Sequence, residues 1–207
     1  MVFLLGSTGP EGYTVNDAVV GLRALRMSDF AEWAEIRRVS RNELTPFEPQ
    51  WTDNELSRTS FKLRVKVHQR EIAGDTGYAF GIFRLTDGQL IGGVSLSNVR
   101  RGVTQSAELG YWLGTPFTKN GHMSAAVRLI IGYAFGTLSL HRLEAATLLD
   151  NYTSIRVLER NGFRREGEAR SYLKINGVWR DHVLFGLVED EARIVVMSAA
   201  NIAVAAG

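Results

Sequence analysis

The part of this chain that most restricts its fold is one continuous run. An aromatic segment, GYWLG (110–114), is followed by TKNGHMSAA (118–126) and then by the apolar run VRLIIGYAF (127–135). Strand-like aromatics, a polar loop with a glycine, and residues at helical spacing form a strand, loop and helix unit, whose helix must pack back onto its sheet. Val127, Ile130, Ile131, Ala134, Phe135 and Leu138 supply the apolar face for that packing. A glycine-containing loop feeding a helix leaves the first amide N–H groups without carbonyl partners and points them forward with the positive end of the dipole, which suits a phosphate. Lys119 and His122 add positive charge there. Many helices also begin after a glycine for steric reasons alone, so anion binding and plain helix initiation both remain open on the loop by itself.

The flanking sequence fits mixed α/β. Residues 16–25, NDAVVGLRAL, read as a first strand. Ser28 caps a helix through DFAEWAEIRRVSRNEL, with Phe30, Trp33, Ile36 and Val39 at helical spacing. Pro46 and Pro49 end it, and a second, polar helix runs from Thr52 or Asp53 to Arg70. Three strands then form a meander at 77–85, 89–98 and 105–114, with Asp87-Gly88 as a hairpin turn. Beyond the central helix, 141–149 reads as a strand and 152–161 as a short helix, capped by Asn151 and stopped by Gly162 in the left-handed conformation. Strands at 163–175 and 178–187 close the chain around Asn176-Gly177, another hairpin signal. The order β-α-α-β-β-β-α-β-α-β-β predicts a mixed, mostly antiparallel sheet of six to seven strands flanked by helices.

Composition removes several classes of function. The 207 residues contain no cysteine, which excludes disulfides, thiolate metal sites and a thiol nucleophile. The four histidines, His68, His122, His141 and His182, have no ligand spacing, so no metal is expected. No phosphate-loop, dinucleotide-binding or serine-nucleophile motif is present. A net charge of +2 gives no reason to expect nucleic acid.

The segment from Glu108 to Phe163 resembles the acetyl-CoA-binding core of the GCN5-related N-acetyltransferases, and most closely their RimJ/RimL branch, which acetylates ribosomal protein N-termini. The likeness rests on the GYWLG strand, the loop Thr118-Lys119-Asn120-Gly121-His122-Met123, and Asn151, Ser154, Gly162 and Phe163 on and after the later helix. RNELTPFEP (41–49), SLSNVRRG (95–102) and YLKINGVWRDH (172–182) extend it over residues 16–188. Two positions depart from the branch: Thr118 stands where it has Gln or Arg, and Lys119 replaces a glycine. Weaker or altered cofactor binding is expected from them, and they keep open a chain that binds acyl-CoA without turnover.

The resemblance implies acetyl-CoA as cosubstrate, no metal, and direct attack by an amine without a covalent enzyme intermediate. It assigns the pyrophosphate to backbone groups of residues 118–123 and Ser124, and the pantetheine amides to the backbone of Trp112 and Leu113. Glu108 is the expected general base. Ser154 is the expected donor to the departing thiolate, with Asn151 beside it, and Tyr152 is a weaker spare. Glu48 and Phe47 are expected to hold the acceptor, in a cleft that Trp33, Trp51 and Trp179 could also line. The expected acceptor is a protein N-terminus, with a small amine, amino acid or antibiotic as the alternative.

Arg100, Arg101, Arg164, Arg165, Arg170 and Arg180 could form a basic rim toward a ribosomal or acidic partner. Residues 1–15 read as an extension and 189–207 as a tail, whose apolar part from Ile194 suggests a peripheral helix or a dimer contact. With no recognisable signal peptide or membrane span, a cytoplasmic monomer or homodimer is expected.

Overall fold

The computed structural model describes residues 12–192, so the expectations for the first residues and for the tail beyond Ala192 lie outside it. Eight strands form one sheet in the order β1-β2-β3-β4-β5-β6-β8-β7. They are β1 (Val15–Asn16), β2 (Val20–Arg23), β3 (Tyr78–Arg84), β4 (Leu90–Arg100), β5 (Ser106–Leu113), β6 (Arg142–Leu148), β7 (Arg164–Ile175) and β8 (Val178–Val188). The helices are α1 (Phe30–Val39), α2 (Arg41–Leu44), α3 (Arg58–Ala73), α4 (His122–Gly132) and α5 (Tyr152–Arg160).

The strand expected at 16–25 is a small hairpin instead, which brings the count to eight. The Asp17 carboxylate accepts the amides of Val19 and Val20 at 2.7 and 2.8 Å, a side-chain turn that competes with extended backbone. The first helix likewise divides at Ser40, and the second starts at Arg58 rather than Thr52 or Asp53. Ser57 caps it by accepting the Ser60 amide at 3.2 Å. Both later turns form where the sequence places them. Asn176 and Gly177 take φ of +43° and +82°, as a type I′ turn requires, and Gly162 ends α5 at +85°.

Neighbouring strand residues point to opposite faces, and two apolar clusters form accordingly. Ile82, Ile91, Val94 and Leu109 pack with Val127, Ile130 and Ile131 of α4 and Leu158 of α5. Phe83 and Leu90 pack with Trp33 of α1 and with Phe61 and Val65 of α3. The sheet is therefore covered by α4 and α5 on one face and by α1 and α3 on the other.

All pairings are antiparallel except β5 with β6, which α4 connects. That parallel pairing is short: Ser106, Ala107 and Glu108 lie opposite Arg142, Leu143 and Glu144. Beyond Glu108 the two strands part, while β5 stays paired to β4 as far as Leu113 and β6 to β8 as far as Leu148. The sheet is forked at this point.

Candidate functional site

The fork leaves the inner edge of β5 without a strand partner from Leu109 to Leu113, so backbone groups there are available to an extended ligand. Trp112 and Leu113, expected to offer those groups, lie on this segment. At its end, Thr115-Pro116-Phe117 form one turn of 3-10 helix, which leads into the loop before α4. The Thr115 amide donates to the fully buried Ser40 hydroxyl at 2.9 Å, fixing this loop to the joint between α1 and α2.

Residues Thr118 to Ser124 are brought together at the start of α4. Two of them turn left-handed: Lys119 at φ +65° and Gly121 at +78°. Glycine adopts that region at no steric cost, whereas a lysine there is strained. No side chain caps α4, and open space surrounds the place where a Cβ on Gly121 would stand. The first backbone bond of the turn runs from Ala125 N–H to Gly121 C=O at 3.0 Å, so the amides of His122, Met123 and Ser124 face forward. Such a site fits a pyrophosphate. His122 does not contribute its ring to it, because the side chain is buried with Nδ1 3.2 Å from the Phe117 carbonyl.

Across the fork from β5, Asn151 caps α5 by accepting the Ser154 amide at 3.1 Å. The Ser154 hydroxyl lies 2.8 Å from the Tyr111 hydroxyl, which also reaches the Ser154 carbonyl at 3.2 Å. Burial pushes the Tyr111 phenol up to about 12, against the opposing pull of its bond to Ser154. Tyr152 is exposed and makes no such contact.

Glu108 stands at the last residue pair before the fork. Alternation along β5 puts its side chain on the face carrying Gly110 and Trp112, opposite Tyr111. A bulge in β4 turns Asn98 to φ +50°, and the Asn98 amide donates to the Glu108 carboxylate at 3.0 Å. The neighbouring Glu144 carboxylate is already paired with Arg100 and Arg142.

On that face lies a cleft of about 420 Å³, between α1, α3, the loop at 48–51 and the sheet. Its floor is made of small residues, Ala79, Gly93, Ser95 and Gly110, and its walls include Trp33, Trp51 and Trp112. Gly110 adds no side chain between Trp112 and Glu108, which leaves the floor open toward the fork. Glu48 lines the cleft as well, but its carboxylate accepts two bonds from Arg37, at 2.6 and 3.1 Å, and one from Trp51 Nε1 at 2.7 Å. Arg37 is only 6% exposed and lies over the rings of Trp51 and Trp112.

Phe47 and Trp179 do not join this cleft. Phe47 is 44% exposed, and Trp179 borders a separate depression with Asp150 and Arg180. The reason is local: Phe47 ends a 3-10 turn before the chain becomes extended at Glu48. Sequence reasoning missed Arg37, Glu55, Arg64 and His68, which also line the cleft. Arg37, Arg64 and His68 fall on helical residues already assigned to generic amphipathic helices, so no local motif marks them. Burial and the charge of Arg64 lower the His68 pKa to about 4.

The suggested basic rim is largely neutralised: Arg100, Arg101, Arg164, Arg165 and Arg180 pair with Glu144, Asp75, Glu191, Glu168 and Asp150. Among the described residues no cluster of metal-ligand side chains occurs, and no helix is long and apolar enough to cross a membrane.

Residues 20–164 match the family model of the acetyltransferase (GNAT) domain. The probable N-acetyltransferase YjcK of Bacillus subtilis is 38% identical over 82% of this chain and 94% of its own length. The [ribosomal protein uS5]-alanine N-acetyltransferase of Escherichia coli is 33% identical over 87% of this chain and 93% of its own. In three dimensions, Mycobacterium smegmatis RimJ in complex with CoA-disulfide superposes with a TM-score of 0.82 at 32% identity, covering 87% of this chain and 89% of that one.

Proposed function

The chain belongs to the acetyltransferase (GNAT) family, and we propose that it transfers the acetyl group of acetyl-CoA to the N-terminal α-amine of a protein, a ribosomal protein foremost. The observation that carries this reading is the fork beyond Glu108. It joins the uncapped start of α4 on one face of the sheet to the cleft on the other, so a thioester held from one side meets an amine arriving from the other. The relative named for N-acetylation of a ribosomal protein's alanine and the RimJ structure in complex with CoA-disulfide favour this cosubstrate and this acceptor. We assign the catalytic domain to residues 16–188, which takes in all the strands but the first residue of β1.

In this reading the forward-facing amides of His122, Met123 and Ser124, with the loop from Thr118 to Gly121, hold the pyrophosphate, and the free edge of β5 at Trp112 and Leu113 holds the pantetheine amides. Glu108 takes the proton released as the amine attacks, directly or through water. An α-amine has a pKa of about 7.7 to 8.0 against about 10.4 for a lysine side chain, so a half-buried carboxylate is a sufficient base for an N-terminus. Ser154 donates a hydrogen bond to the sulfur as the carbon–sulfur bond breaks. Glu48, with Arg37, sets the polar end of the cleft that receives the acceptor.

The deciding experiment is thiol release from acetyl-CoA measured against N-terminal peptides and small amines side by side. Acetylation of peptides at the α-amine is expected. Turnover confined to small amines, with every peptide inert, would overturn the acceptor assignment. Absence of acetyl-CoA binding in calorimetry would overturn the cosubstrate.

A further inference from the structure

We propose that Tyr111 is a positioning residue for the departure of the CoA thiolate: its phenol fixes the Ser154 hydroxyl so that the serine hydrogen points toward the sulfur. The inference rests on the assignment of Ser154 as the thiolate donor. Tyr111 lies on the part of β5 that has lost its β6 partner, and its side chain crosses the fork to the first turn of α5. There the phenol oxygen is 2.8 Å from Ser154 Oγ and 3.2 Å from the Ser154 carbonyl oxygen, while the Asn151 side chain holds the Ser154 amide at 3.1 Å.

A serine hydroxyl has one hydrogen and two lone pairs, and in a helix that hydrogen is readily given to a carbonyl one turn back. The phenol has a single hydrogen and two acceptors in reach: given to Oγ, the shorter contact, it leaves the serine hydrogen free to point outward, whereas given to the Ser154 carbonyl it would turn the serine hydrogen back onto the phenol. The chain from phenol to hydroxyl to sulfur also polarises each donor in turn.

The electron accounting is complete without a proton leaving either side chain. The amine lone pair forms the carbon–nitrogen bond, and the carbonyl π pair moves to oxygen. That pair then returns as the carbon–sulfur bond breaks, and the bonding electrons go with the sulfur. The surplus proton on nitrogen passes to Glu108 or water. Two hydrogen bonds in series stabilise the charge on sulfur. Burial keeps the phenol protonated to about 12, well above a free thiol near ~8.5, so Tyr111 retains its hydrogen throughout.

The test uses the product complex. Because the protein has no cysteine, the ultraviolet thiolate absorbance of a CoA complex reports the bound CoA thiol alone below the range in which tyrosines ionise. In the wild type this thiol should titrate below free CoA. Ser154→Ala should raise its pKa by roughly one unit, Tyr111→Phe by about half of that, and Tyr111→Phe should add nothing in the Ser154→Ala background. Turnover should fall with the same pattern while the KM for acetyl-CoA changes little.

If Ser154→Ala shifts the thiol and Tyr111→Phe does not, or if Tyr111→Phe acts equally without Ser154, the positioning role is overturned and the serine assignment stands. If Ser154→Ala shifts nothing, the serine assignment falls and the positioning role with it. A Tyr111→Phe effect confined to melting temperature would mark a purely structural bond. Should Tyr111→Phe not fold, uniform fluorotyrosine labelling gives a stronger phenol donor. Because fluorotyrosines ionise closer to the thiol, the thiol is then followed by its S–H stretching band; its pKa should fall, and an unchanged value overturns the proposal.

Discussion

Arg37 holds both carboxylate oxygens of Glu48, at 2.6 and 3.1 Å, in a position where the guanidinium is nearly closed off from water. Removing one partner of such a pair leaves a buried charge without compensation, which costs more than the pair contributes. Glu48→Gln is expected to destabilise the protein by about 3 kcal/mol in urea denaturation and to weaken acceptor binding. Combining it with Arg37→Met should recover part of the stability but none of the acceptor binding. A double variant less stable than Glu48→Gln alone would show that Arg37 contributes mainly through its stacking on the tryptophans.

Trp112 packs directly against Gly93, which has no side chain to hold the indole off. A Cβ on Gly93 would stand 2.5 Å from the indole nitrogen. Gly93→Ala must therefore displace the indole that walls the cleft beside Arg37. A loss of about 1 to 3 kcal/mol is expected, with a change in tryptophan fluorescence and a raised KM for the acceptor. Unchanged fluorescence would mean that the sheet, rather than the indole, gives way.

Glu108→Gln should lower turnover at neutral pH by about 100-fold while leaving acetyl-CoA affinity nearly unaltered. The neutral amide keeps the shape and can still meet Asn98 but cannot take a proton. Unchanged turnover removes Glu108 as the base.

Lys119 and Gly121 make opposite predictions. Gly121→Val places a β-branched residue at positive φ, and a cost of about 1 to 2 kcal/mol with weaker acetyl-CoA binding is expected. Lys119→Gly should be tolerated in both respects, because glycine accepts the same conformation without strain. Calorimetry with acetyl-CoA checks both, and a large loss of affinity in Lys119→Gly would show that the lysine charge itself holds a phosphate.

His68 predicts how stability depends on pH. Its pKa falls from 6.5 to about 4 on folding, so between these values the unfolded chain binds more protons than the folded one. Stability therefore rises with pH across this window, and acidification from 6.5 toward 4 costs on the order of 2 kcal/mol from this group, allowing for its partial contact with water. His68→Gln should flatten the melting temperature over that interval. An unaltered slope would assign the acid sensitivity to other groups.

Much of the frame was legible because its signals are local. Asn151 and Gly162 bound α5 through chemistry within a few residues, and Asn176-Gly177 turns where only small or amide side chains tolerate positive φ. The strand leading through Gly121 into α4 was readable for the same reason. The division of the first strand was missed because Asp17 acts against a clear β-forming run. The cleft was hidden for a different reason: Arg37 meets Glu48, and Arg64 and His68 reach the same space from another helix. Such meetings depend on how α1 and α3 settle on the sheet, and no spacing along the chain records that.

The hairpin between β7 and β8 ends against the loop that carries Glu48: the Asn176 amide donates to the Glu48 carbonyl at 2.8 Å, and Gly177 abuts the Gln50 side chain. One wall of the cleft is thus latched by a turn far from it along the chain. A change at the Asn176-Gly177 turn is therefore felt at the wall that carries Glu48, on the face of the sheet turned away from α4.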